Sequence, residues 1–64
     1  MKNAIQIKTQ DNGSIIAKVY SRGNVYAIRY AEGSEVTEAE IRKVWKEERR
    51  AFRPFDESLN SFCQ

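Results

Sequence analysis

Residues 4–30, AIQIKTQDNGSIIAKVYSRGNVYAIRY, decide the fold. Residues 4–9, 14–21 and 25–30 are rich in Ile, Val and Tyr, and Gly-containing turns divide them, which is the pattern of consecutive antiparallel strands. The first turn holds Asp11-Asn12-Gly13. A two-residue Asn-Gly loop would pair Asp11 with Ser14 and set Ile5 and Ile7 opposite Tyr20 and Lys18, on the face away from Val19. A three-residue loop with Gly13 in the left-handed conformation pairs Gln10 with Ser14 instead. Ile5 then faces Val19, Ile7 faces Ala17 and Thr9 faces Ile15. Only this register gives a consistent apolar face, and burial is what sets register, so the three-residue loop is expected.

The second turn lies in Ser21-Arg22-Gly23-Asn24. A loop at Arg22-Gly23 and one at Gly23-Asn24 both put Ala17 and Val19 on the face of Tyr26, Ile28 and Tyr30. That face, completed by Ile5, Ile7 and Ile15, needs a cover. The opposite face carries Lys8, Ile16, Lys18, Tyr20, Val25, Ala27 and Arg29, and reads as a basic, open surface with apolar side chains between the charges.

The cover follows in the chain. Thr37 and Glu40 have capping-box spacing and Val36 with Ile41 has staple spacing, which start a helix at Thr37. Ile41, Val44, Trp45, Ala51 and Phe52 recur on one helical face, with Glu48 as its one polar member. Pro54 ends the helix at or before Arg53. Phe55, Leu59 and Phe62 recur at helical spacing in the tail, which is expected either as a short second helix with Pro54 in its first turn or as a segment that orders on binding. The expected fold is α+β: a small three-stranded antiparallel sheet of two hairpins, covered on one face by one α-helix. The 64 residues make a single domain, with the sheet in 1–31, the helix in 37–53 and the tail in 54–64.

The net charge of +2 conceals blocks of opposite sign. Residues 1–31 carry five basic side chains against one acidic. Residues 32–41 carry Glu32, Glu35, Glu38 and Glu40 with no basic residue. Residues 42–53 carry six basic against two acidic, and the tail adds Asp56 and Glu57. A partner would meet separate positive and negative zones. Two surfaces are candidates for that contact. The first is the open sheet face, with Lys8, Ile16, Lys18, Tyr20 and Arg29. The second is a stripe of Arg42, Lys46, Arg49 and Arg53, which lie within roughly 60° of one another on a helix. The plain alternative for the sheet face is the wet side of an ordinary antiparallel sheet. For the stripe it is a solvated helix face. Glu40 with Lys43, Lys43 with Glu47 and Glu47 with Arg50 have salt-bridge spacing, but on the neighbouring face.

Several function classes recede on composition. The chain has no His, one Cys and no Gly-rich phosphate loop, so neither a catalytic nor a metal-ligating constellation is expected, and no cofactor. No apolar run approaches membrane-spanning length, and Met1-Lys2-Asn3-Ala4-Ile5 opens no signal-peptide core, so a cytoplasmic location is expected. Chains this short bury only about 60% of the surface that they expose unfolded. Self-association through a sheet edge, giving a homodimer, or binding to a target would add stability.

The element order and the basic sheet face resemble the arm-binding domains of tyrosine integrases, which implies a sheet that reads DNA. In size and character the chain is also similar to small phage-encoded inhibitors of bacterial defence, including anti-CRISPR proteins, which implies stoichiometric docking on a protein or nucleoprotein partner. A non-catalytic inhibitor or regulator of that kind is the expected function. Direct DNA or RNA binding through the basic sheet face is the alternative.

Overall fold

A computed structural model describes residues 3–63. The strands β1 (Ala4–Thr9), β2 (Ile15–Ser21), β3 (Asn24–Tyr30), β4 (Arg53–Asp56) and β5 (Ser61–Phe62) run antiparallel in that order across one sheet. The helix α1 (Glu38–Glu47) and a 3-10 turn at Arg49–Ala51 lie between β3 and β4.

The first two hairpins follow from local turn chemistry. Gln10 N–H donates to the Ser14 carbonyl at 2.7 Å, and Ile5, Ile7 and Thr9 stand opposite Val19, Ala17 and Ile15. Gly13 closes the three-residue loop at φ +90°, and the Glu32 side chain folds over it. A Cβ at Gly13 would lie 2.6 Å from Glu32 Cδ. Because Glu32 is exposed and flexible it can move aside, so the backbone conformation carries most of the cost. Gly13→Ala is therefore expected to destabilise the domain by about 1–2 kcal/mol, read as a lower denaturation midpoint with an unchanged slope. The second hairpin pairs Ser21 with Asn24 across Arg22-Gly23, both at positive φ, which matches the right-handed twist of the strands.

Thr37 caps α1 by accepting a hydrogen bond from Glu40 N–H at 3.2 Å. Ile41 and Trp45 bury against Ala17 and Val19, with Ile5, Tyr26, Ile28, Tyr30, Val36 and Val44 around them. Trp45 sits between Tyr26 at 5.4 Å and Phe52, which meets it edge-on at 5.1 Å. Ile5, Ala17, Val19, Tyr26, Ile28 and Tyr30 of the expected apolar face are thus covered by α1 and Phe52, whereas Ile7 is 36% exposed and Ile15 lies outside this cluster.

The expected three-stranded sheet with a helix over 37–53 is incorrect: the sheet has five strands and the helix ten residues. A continuous helix would stack Lys46, Arg49, Arg50 and Arg53 at spacings of three and four, where like charges repel. Arg53 precedes Pro54, which disfavours helical backbone there. The helix accordingly stops at Glu48, exposed and at φ −135°, whose N–H still reaches the Val44 carbonyl at 2.7 Å. The 3-10 turn leaves Ala51 exposed and swings Phe52 back onto Trp45.

The tail is a hairpin, neither a second helix nor a loose segment. Pro54 and Arg53 pair with Tyr26 and Ala27, and Phe55 pairs with Phe62 across the turn. The Asp56 carboxylate accepts hydrogen bonds from Ser58 N–H, Ser58 Oγ–H and Leu59 N–H, and Asn60 takes φ +51°. These bonds hold the Asp56 carboxyl below its ordinary range, the Ser58 hydroxyl chiefly. The helical spacing of the tail is thus a coincidence of hairpin geometry. Phe55 and Phe62 face each other edge-on at 5.2 Å, while Leu59 is 72% exposed at the tip.

This hairpin lies over the sheet face expected to be open. Ile16, Ala27 and Phe55 form a second buried cluster, with Val25 and Phe62 packed against it. β2 is buried on both faces, whereas β1 remains an open edge with Ile7 36% exposed.

Candidate binding surfaces

The nine candidate residues divide sharply by location. Ile16 is 4% exposed and belongs to the second core. Lys18 is buried as well, its side chain 7% exposed, with Nζ 4.9 Å from the Phe55 ring centroid and 3.8 Å from Glu57 Oε2. Its ring contact and ion pair compensate the burial of the charge. The expectation of an open basic sheet face is therefore corrected: the tail supplies the apolar cover and the counter-charge for it.

Tyr20 is half-buried and committed to the same cover. Its hydroxyl lies 2.6 Å from Glu57 Oε2 and 3.1 Å from Gln6 Oε1. Donation to the Glu57 carboxylate, aided by desolvation and by the carboxylate's charge, pushes the phenol up to about 12. The bond is present while Tyr20 holds its proton, so its stabilising effect is complete below the ordinary tyrosine range near pH 10 and lost as pH rises through about 12. Ultraviolet titration should resolve one tyrosine ionising near that upper value, and Glu57→Gln should bring it down toward the ordinary range. An unchanged titration in Glu57→Gln would show that Tyr20 and Glu57 are not bonded.

The expected stripe of Arg42, Lys46, Arg49 and Arg53 does not exist as one row, because the helical phase ends at Glu47. Arg42 is half-buried and structural. It donates to the Asn3 carbonyl at 2.9 Å and pairs with Glu38 at 2.7 Å, tying α1 to the start of β1. Lys46 is exposed on α1. Arg49 lies over Trp45, 4.5 Å from the ring centroid. Arg53 sits in β4 opposite Ala27. Lys8 is exposed on β1, apart from all of these.

What the fold brings together instead is Arg29 and Arg53, from two separate sequence surfaces. Both line a cleft with Ala27, Ile28, Ala51 and Phe62. Arg29 rests over the Phe62 ring at 5.5 Å. A second depression, bounded by residues 46–51, meets this cleft at Ala51 and brings Lys46, Arg49 and Arg50 alongside. Among the described residues none of these five cations has a carboxylate within 4.0 Å. At the other end of α1, Glu32, Glu35, Glu38 and Glu40 are all exposed. Ten helical residues span about 15 Å, so the molecule is charged oppositely at the two ends of its helix.

Sequence reasoning missed Glu57 as the partner of Lys18, Phe62 as the ring beneath Arg29, and Ala51 as part of the cleft lining. The uninterrupted apolar runs Ile15-Ile16-Ala17 and Val25-Tyr26-Ala27-Ile28 were the available signal. A strand with one wet face alternates, whereas one buried on both faces does not. Among the described residues no group of three or more His, Cys, Asp or Glu is placed to hold a metal ion, and no helix is long and apolar enough to cross a membrane. Comparison with protein-family models, with curated proteins and with solved structures returns no match.

Proposed function

We propose that the protein is a non-catalytic binding module that docks stoichiometrically on a protein partner, including one within a nucleoprotein assembly, and acts there as an inhibitor or regulator. The observation that carries this reading is the two-signed surface. Exposed carboxylates gather before and within the first turn of α1, and exposed cations follow its last turn. Complementary charge of both signs orients a protein partner and speeds its encounter. A nucleic acid would gain at the basic end and be repelled at the acidic one, and the net charge is only +2.

Direct nucleic-acid binding loses its main support with the covering of Lys18 and Ile16 by the tail. The resemblance to integrase arm-binding domains rested on that face and on a three-strand-then-helix order that the five-stranded sheet replaces. In size and character the chain remains similar to small phage-encoded anti-defence inhibitors, which dock stoichiometrically on a partner.

The test is binding to nonspecific duplex and single-stranded DNA and RNA at two salt concentrations. The reading expects no binding even at low salt. Affinity that falls steeply between about 50 and 200 mM salt, as release of counterions from contacted phosphates requires, would contradict it.

A further inference from the structure

β3 is seven residues long, yet β4 pairs with it only at Tyr26 and Ala27. Among the described residues, Ile28, Arg29 and Tyr30 therefore have no strand neighbour on that side. Ser21 and Asn24 close the two-residue turn as a hydrogen-bonded pair, so alternation along the ladder directs the Tyr26, Ile28 and Tyr30 backbone groups to β2. Ala27 and Arg29 direct theirs the other way. Ala27 meets Arg53 there, and Arg29 meets no backbone partner outside the sheet among the described residues.

The cleft of about 350 Å³ lined by Arg29, Arg53, Ala51 and Phe62 lies beside this half-edge. Its size is at the low end of ligand sites, enough for side chains and too small for a duplex. It combines an unpaired backbone donor and acceptor, two guanidinium groups with no carboxylate, and an apolar floor from Ile28, Ala51 and Phe62.

We propose that the cleft receives an acidic, extended segment of the protein partner, which adds to the open half of β3 as a short strand and sets its carboxylates against Arg29 and Arg53. The proposal deepens the docking reading above and rests on it. Strand addition draws affinity from backbone hydrogen bonds and specificity from alternate side chains. The guanidinium fork matches a carboxylate in two parallel hydrogen bonds. An apolar side chain between two acidic ones would point to the other face of the added strand, where Ile28 lies. A nucleic-acid strand is the poorer occupant, because Arg29 and Arg49 already lie over the rings of Phe62 and Trp45, where bases would stack. Glu47 and Glu48 also interrupt the cations along any longer path.

The probe is an acetylated and amidated hexapeptide alternating glutamate and valine, followed by two-dimensional NMR of the intact protein. Saturable shifts should centre on the Arg29 amide and on the Arg29 and Arg53 Nε–H signals. The counterpart with glutamine for glutamate should bind at least about tenfold more weakly. Arg29→Gln and Arg53→Gln should each weaken binding about fivefold or more, and Lys8→Gln on β1 should leave it unchanged. Equal affinity for the glutamine peptide, shifts centred on β1, or unaffected binding in both arginine variants would overturn the proposal. A single-stranded oligothymidylate binding the same residues more tightly than the peptide would overturn both this proposal and the docking reading. Failure of both probes to bind would overturn the cleft assignment alone and leave the docking reading standing.

Discussion

Phe55→Ala is expected to cost about 3–5 kcal/mol, the range for removing a buried aromatic ring. Phe55 is 4% exposed and is buried in one cluster with Ile16 and Ala27. It also supplies the ring beneath the Lys18 ammonium, so its removal strips a buried charge of part of its compensation. β4 joins β3 through only two residue pairs, so the hairpin relies on Phe55 with Phe62 and on the Glu57 contacts to Lys18 and Tyr20. Domain stabilities of roughly 0.05–0.15 kcal/mol per residue leave little margin for such a loss. Chemical denaturation measures the change directly. A loss below about 1 kcal/mol, the level of an ordinary surface substitution, would show that the Phe55 ring faces solvent and that the second core does not form.

Trp45→Ala is the second large effect, again about 3–5 kcal/mol. Trp45 is in contact with both neighbouring rings, Tyr26 and Phe52, and carries Arg49 on its outer face. Its loss removes the anchor of α1 on the sheet and the surface on which Phe52 turns the chain back toward β4. Both faces of the sheet depend on that return, so the variant should lose β4 and β5 along with α1. Circular dichroism should report an unfolded chain at ordinary temperature. A folded variant with an unchanged melting temperature would place Trp45 outside the core.

The part of the fold legible in sequence is the part set by neighbours in the chain. Asn12-Gly13 and Arg22-Gly23 impose turns, period-two alternation selects the register, and Thr37 with Glu40 marks the start of α1. The end of α1 was not legible, because it is set at long range. Residues 48–53 could extend the helix by apolar spacing, but Arg53 and Pro54 instead pair with residues more than twenty positions earlier. The tail misled for a related reason. Phe55, Leu59 and Phe62 fit a helical stripe, and the same separation of seven sets Phe55 and Phe62 opposite each other, rings edge-on, across a four-residue loop. The cues favouring the hairpin were small: an Asp-x-Ser turn at Asp56 and an Asn at Asn60 that tolerates positive φ.

The candidate site changed with the tail. In a three-stranded sheet Lys18 and Tyr20 read as members of an open basic face, and Phe55 and Glu57 of the tail cover and pair them instead. Arg29 and Arg53 keep their exposure and gain a shared cleft that neither surface, read alone, contained. A buried lysine and a half-buried tyrosine thus mark a second core, while the surface proposed for a partner moves to the edge of β3.

The C-terminal hairpin covers the second sheet face, and the surface proposed for a partner is therefore the β3 edge rather than Tyr20 and Lys18. Nuclear Overhauser contacts from the Phe55 ring test it most directly. Cross-peaks are expected to the Ile16 and Ala27 methyl groups, together with an upfield ring-current shift of the Lys18 ε-methylene protons beneath the ring. Phe55 and Phe62 rings with no cross-peaks beyond the tail, and Lys18 protons at unfolded-chain positions, would contradict it and return the open basic face as the binding surface.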